Sequence, residues 1–97
     1  MNRPNVQGID VEEVFSQIRI AYWQALVEKG DGAYASSHEA FGVITEEYHE
    51  LAAAISKKVV SSTLRGQRSA AAIDAEIMDI IVAGVHSLVS RRTGMDW

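Results

Sequence analysis

The chain has no cysteine, and its single proline, Pro4, lies in a polar stretch at the start. Without thiols there is no disulfide staple, no thiolate metal site and no cysteine nucleophile, so metal chemistry would have to rest on oxygen or imidazole donors. Positive charge is also short: nine Lys and Arg stand against thirteen Asp and Glu, a net charge of −4. That balance argues against non-specific binding to a nucleic-acid backbone. It leaves a nucleotide substrate open, because a bound cation inverts the local potential. Long apolar runs are missing as well. The longest, Ile77 to Val85, is interrupted by Asp79 and is too short to span a bilayer. With no signal-like segment at the start, the expectation is a cytoplasmic protein with neither membrane nor nucleic-acid partner.

What remains is 97 residues rich in Ala, Ile and Val at helical rather than alternating spacing, with only seven aromatic residues. This is the length of one domain, residues 1–97, near the size at which a lone core is thin, so self-association is expected. Residues 1–9 read as a loose leader. The first helix begins at Asp10, where Asp10 and Glu13 have capping-box spacing, and buries Val11, Val14, Phe15, Ile18, Ala21, Tyr22 and Ala25. It ends at Lys29-Gly30-Asp31-Gly32, a run that favours turn conformations.

A second box, Ser36 with Glu39, opens a helix reaching about Lys58. Ala40, Phe41, Val43, Ile44, Tyr48, Leu51, Ala54 and Ile55 form its apolar arc, with Glu47 inside the arc and Glu50 on its margin. Residues 59–68 read as a polar connector with room for a short extra turn. The third helix runs from about Ser69 to Arg92, is apolar over more than half its circumference, and should be central. Its remaining lane holds Glu76, Asp79 and His86 among Ala72, Ala83, Ser87 and Ser90. These spans define an all-α, antiparallel bundle of three main helices, completed by oligomerisation.

Glu47-x-x-Glu50 and Glu76-x-x-Asp79 carry the chemistry. Residues three apart on a helix lie roughly 60° apart around it, so each pair converges on one point, and two packed helices would make a four-carboxylate cluster. Such crowding is unfavourable without a counter-ion, and a hard divalent cation with oxygen ligands and retained water relieves it. The alternatives are a solvated acidic face or ion pairs with Lys57, Lys58, Arg65 or Arg68. Glu47 argues against the first, because an acid inside an apolar arc is rarely left unpaired.

Glu46-Glu47-x-x-Glu50 followed by Glu76-x-x-Asp79, with Val43-Ile44 and Leu51 around the first pair and Ile80-Ile81 after the second, resembles the signature of the MazG-like, all-α nucleoside triphosphate pyrophosphohydrolases. The likeness covers residues 37–88. It implies a helical homodimer or homotetramer that uses Mg²⁺, or Mn²⁺, to cleave a nucleoside triphosphate between the α and β phosphates, releasing monophosphate and pyrophosphate. It also implies Glu47, Glu50, Glu76 and Asp79 as metal ligands, with Glu46 filling the first acid of the catalytic pattern.

Lys57, Lys58, Arg65 and Arg68 are candidates for the triphosphate tail, arginine being suited to forked phosphate contacts; otherwise they are a solvated helix end. Trp23, off the first apolar stripe, and His86, in the lane of Asp79, are candidates for nucleotide contact, whereas Tyr22 and Tyr48 suit the core. Ser36 and Ser37 have no recognisable histidine and acid partners for nucleophilic catalysis. Two rivals stand beside the enzyme. Glu46-x-x-His49 is half of a di-iron carboxylate pattern, but the third helix lacks the matching half. A non-enzymatic oligomerisation or partner-binding module would keep the acids as a structural cation site.

Overall fold

A computed structural model describes residues 2–59 and 63–93, with side-chain surroundings for 2–56 and 70–93. Among these residues the fold is entirely helical: α1 (Gly8–Lys29), α2 (Ser37–Val59) and α3 (Thr63–Arg91). None is long and apolar enough to cross a membrane.

α3 is central, as its broad apolar surface suggests: it packs along α2 and, over a shorter stretch, against α1, while α1 and α2 make no contact. The arrangement is an all-α bundle of three helices, as expected, in which an α2–α3 hairpin carries α1 on its second helix. Phe15 and Val14, expected on the buried stripe of α1, are 63% and 46% exposed because no second helix covers them. Ile18, Ala21, Tyr22 and Ala25 are half-buried.

The helix ends follow local chemistry. Ser36 caps α2, its Oγ accepting the Glu39 N–H at 3.2 Å. α1 starts before the Asp10 expected to cap it: the Gln7 carbonyl accepts the Val11 N–H at 3.2 Å, and Asp10 sits in the first turn, where its charge suits the helix dipole. α1 stops at Gly30, whose φ of 91° suits a residue without Cβ. The expected connector over 59–68 is also corrected. Residues 63–68 are the first turns of α3, since Gly66 is the only breaker there and a helix tolerates one glycine at a cost of about 1 kcal/mol.

The best-buried positions are small. Among the described residues Ala40 and Ala83 are the buried apolar ones, and Ser87 and Ser90 the buried polar ones, Ser90 being fully enclosed. Three of these four belong to the narrow lane of α3, where short side chains admit close neighbours. Ser87 donates to the Ala83 carbonyl at 2.7 Å, which satisfies its hydroxyl in the interior.

Larger apolar residues are left outside. Phe41, Tyr48 and Ile55 recur every seven residues as an exposed stripe on α2, and Ile20, Trp23 and Val27 form another on α1. The chain exposes 7710 Å², where a folded monomer of its mass would expose roughly 5500 Å². Its radius of gyration is 15.9 Å, against about 12.5 Å for a closed domain of this length.

Two substitutions test this packing. Gly42 lies inside α2 with open space where a Cβ would sit, so Gly42→Ala should raise stability by about 0.5–1 kcal/mol in chemical denaturation. Ala83→Leu should lower it by about 1–3 kcal/mol through overpacking. The opposite ranking would show that the α3 lane is not a packed contact.

Candidate metal centre

The hairpin brings the two acid pairs together. Glu47, Glu50, Glu76 and Asp79 each present a carboxylate oxygen, and the four oxygens lie within 4.8 Å of one another. Glu50 and Asp79 are exposed, while Glu47 and Glu76 are half-buried. Oε2 of Glu47 and Oε2 of Glu76 are shielded from solvent and have no hydrogen-bond partner. Glu46 is exposed and stands outside this group.

The electrostatics follow from that placement. The Glu47 carboxyl is raised above its ordinary value of 4.5, first by desolvation, then by the charges of Glu50 and Asp79 and a hydrogen bond with Glu50; Lys29 opposes the rise. Glu76 is raised in the same direction by desolvation, the charge of Glu50, a hydrogen bond with Glu50 and the charge of Asp79. Both acids therefore hold protons more tightly when folded than in the unfolded chain.

A divalent cation fits this donor set. Opposite oxygens around an octahedral Mg²⁺ stand about 4.2 Å apart, so modest side-chain adjustment would close the group on an ion. The two unpartnered oxygens are the decisive feature, because exposed acids are common without metal whereas shielded, unsatisfied carboxylate oxygens are costly. The donors are all hard oxygens, which favours a hard divalent cation over softer ions.

Beside the acids opens a cleft of about 340 Å³ between the end of α1, the α1–α2 loop, α2 and α3. Glu47 and Asp79 line it, as do Lys29, Tyr22, Tyr34 and His86. Lys29, at the C-terminal end of α1, is the cationic lining residue among those described. Tyr34, which the sequence reading passed over, sits just after the glycine turn. Its hydroxyl is pushed up by desolvation and by the charges of Glu39, Glu47 and Tyr22, which brings it into the electrostatic reach of the acids. An isolated aromatic in a short interhelical loop was the available signal.

His86, expected as a nucleotide contact, lines the cleft with both ring nitrogens engaged. Nε2 lies 2.8 Å from the Gly32 carbonyl oxygen and Nδ1 lies 2.9 Å from the Tyr22 hydroxyl. The Tyr34 ring meets it edge-on at 4.6 Å. Trp23 is 63% exposed and does not line the cleft; it lies beside Tyr22, with ring centroids 6.5 Å apart. The side chains of Lys57, Lys58, Arg65 and Arg68 fall outside the described residues. His49 packs against Tyr48 at 5.9 Å and is not among the grouped acids, so the di-iron pattern gains no ligand from it.

Comparison with known proteins identifies no relative: no family model matches the chain, and no match is found among curated proteins or solved structures.

The raised carboxyls give a signed prediction. Their contribution to stability is present below the unfolded value of 4.5 and is lost as pH rises through the higher folded values. Cation binding, which needs ionised carboxylates, should gain as that contribution fades. Millimolar Mg²⁺ should therefore raise the melting temperature by several degrees at about pH 8 and hardly at all at about pH 5. Equal shifts at both pH values, or none, would contradict the site.

Proposed function

We propose that the chain is a Mg²⁺-dependent nucleoside triphosphate pyrophosphohydrolase of the MazG-like kind, cleaving between the α and β phosphates. The observation that carries this reading is the convergence of four carboxylates, two with shielded and unpartnered oxygens, beside a cleft large enough for a small ligand.

Glu47, Glu50, Glu76 and Asp79 would hold the cation, which would supply positive charge to offset the negative charge that develops on the phosphates. Four negative charges exceed what one divalent ion neutralises, so the acids retain the capacity to orient a water molecule and take its proton. In the overall reaction the water oxygen bonds to the α phosphorus, the bond from that phosphorus to the bridging oxygen breaks, and pyrophosphate leaves with the electron pair. Lys29 adds positive charge at the cleft for the phosphate chain. Val43, Met78 and Val82 give the cleft an apolar wall beside the acids.

A homo-oligomer belongs to the same reading. The excess of exposed surface, about 2200 Å² per chain, would give two chains an interface of the size found in obligate dimers. The seven-residue repeat of Phe41, Tyr48 and Ile55 is suited to packing against another helix.

One observation favours a second reading. Among the described residues only Lys29 offers positive charge in the cleft, a sparse provision for a triphosphate. A non-enzymatic oligomerisation module with a structural cation would need no more.

Pyrophosphate release from a panel of standard and modified triphosphates with Mg²⁺ separates the two. At least one substrate should be hydrolysed, and Glu47→Gln and Asp79→Asn should each lower turnover by at least about a hundredfold while the fold persists. If no triphosphate yields pyrophosphate and Glu47→Gln alters only thermal stability, the module reading replaces the enzyme. Light scattering should give a mass of two or more 10.6 kDa chains; Phe41→Glu should shift it toward one, and a monomeric wild type would refute the assembly.

A further inference from the structure

One stripe of α3, at alternating spacings of three and four, carries Glu76, Asp79, Ala83, His86 and Ser90. Its first two members belong to the acid group. Its last two hold the α1–α2 loop: the His86 ring meets the Gly32 carbonyl, and Ser90 Oγ accepts the Tyr34 N–H at 3.0 Å. A single helix therefore registers the loop against the acids, with Asp79 and His86 about 10 Å apart along its axis.

The hydrogen bonds define the histidine's form. A carbonyl can only accept, so Nε2 carries the hydrogen and donates to Gly32. In the neutral ring Nδ1 then bears the lone pair, and the Tyr22 hydroxyl donates to it. His86 thus ties three segments together: α1 through Tyr22, the loop through Gly32, and its own helix. The loop needs such a tie, because Gly30 and Gly32 flank Asp31 and give its backbone much freedom to lose on ordering. Lys29, Gly30, Gly32 and Tyr34 then stand along one wall of the cleft whose other walls include Glu47 and Asp79.

We propose that His86 is a positioning residue: by clasping the α1–α2 loop to α3 and α1 it sets the cleft wall of Lys29 and Tyr34 against which a bound triphosphate rests, and so governs substrate affinity rather than the chemical step. The kinetic half of this inference rests on the pyrophosphohydrolase reading; the structural half does not.

The experiment pairs amide hydrogen exchange across residues 30–36 of the nucleotide-free protein with steady-state kinetics. The variants are His86→Ala, His86→Gln and Tyr22→Phe, each checked for native helicity. In His86→Ala, exchange at the Tyr34 N–H should quicken by about tenfold or more, and KM should rise about tenfold with kcat within about twofold of wild type. His86→Gln, whose amide nitrogen can replace the Nε2 donor, should restore most of the protection and of KM. Tyr22→Phe, which removes only the bond to Nδ1, should fall between. Unchanged exchange in a folded His86→Ala protein would overturn the clasp. A collapse of kcat at constant KM would overturn the positioning role and place His86 at the reacting atoms. If the wild type hydrolyses no triphosphate, the enzyme reading and the substrate-affinity claim fall together, while exchange alone still decides whether His86 holds the loop.

Discussion

Like charges in poor solvent repel, and this chain gathers four of them. Glu47, Glu50, Glu76 and Asp79 converge within 4.8 Å at the junction of α2 and α3, with one oxygen each of Glu47 and Glu76 cut off from water and from any donor. A fold that only needed two packed helices would gain by an apolar pair at those positions. Protons relieve the strain at low pH, and a divalent cation would relieve it at neutral pH. The most enclosed of the described positions, Ala40, Ala83, Ser87 and Ser90, lie on the same two helices that carry the acids.

The same economy of bulk leaves the chain open. Its deepest positions are alanine and serine, whereas phenylalanine, tryptophan, tyrosine and valine stand at the surface of α1 and α2. Large exposed apolar faces on a small domain mark surfaces that other protein covers. In the proposed assembly a second copy would supply the core that one chain lacks, and would also cover the half of α1 that no helix of its own chain reaches.

Much of the site was legible because helical period is local. The three-residue spacing within each acid pair and the position of Glu47 inside an apolar arc follow from 3.6 residues per turn, and the glycine turn at residues 30–32 announced the end of α1. Burial was less legible. Ranking faces by apolar bulk favoured Phe41, Tyr48 and Phe15, yet closeness between helices is governed by the smallest side chains, and the lane of Ala83, Ser87 and Ser90 became the interior. The stripe on α1 is apolar along its length, but α1 packs only against α3, so Val14 and Phe15 stay exposed. The ties from Gly32 to His86 and from Tyr34 to Ser90 span more than fifty residues and join a backbone group to a side chain, so no periodicity encodes them. Tyr34 went unnoticed for that reason.

The central question is whether the four acids share a cation. Crystals grown with Mn²⁺ and measured for anomalous scattering address this directly. The account predicts one strong peak coordinated by Glu47, Glu50, Glu76 and Asp79, and its loss in the Glu76→Gln variant. Full-length, well-ordered acids with no peak among them, or with their side chains turned apart into solvent, would contradict it.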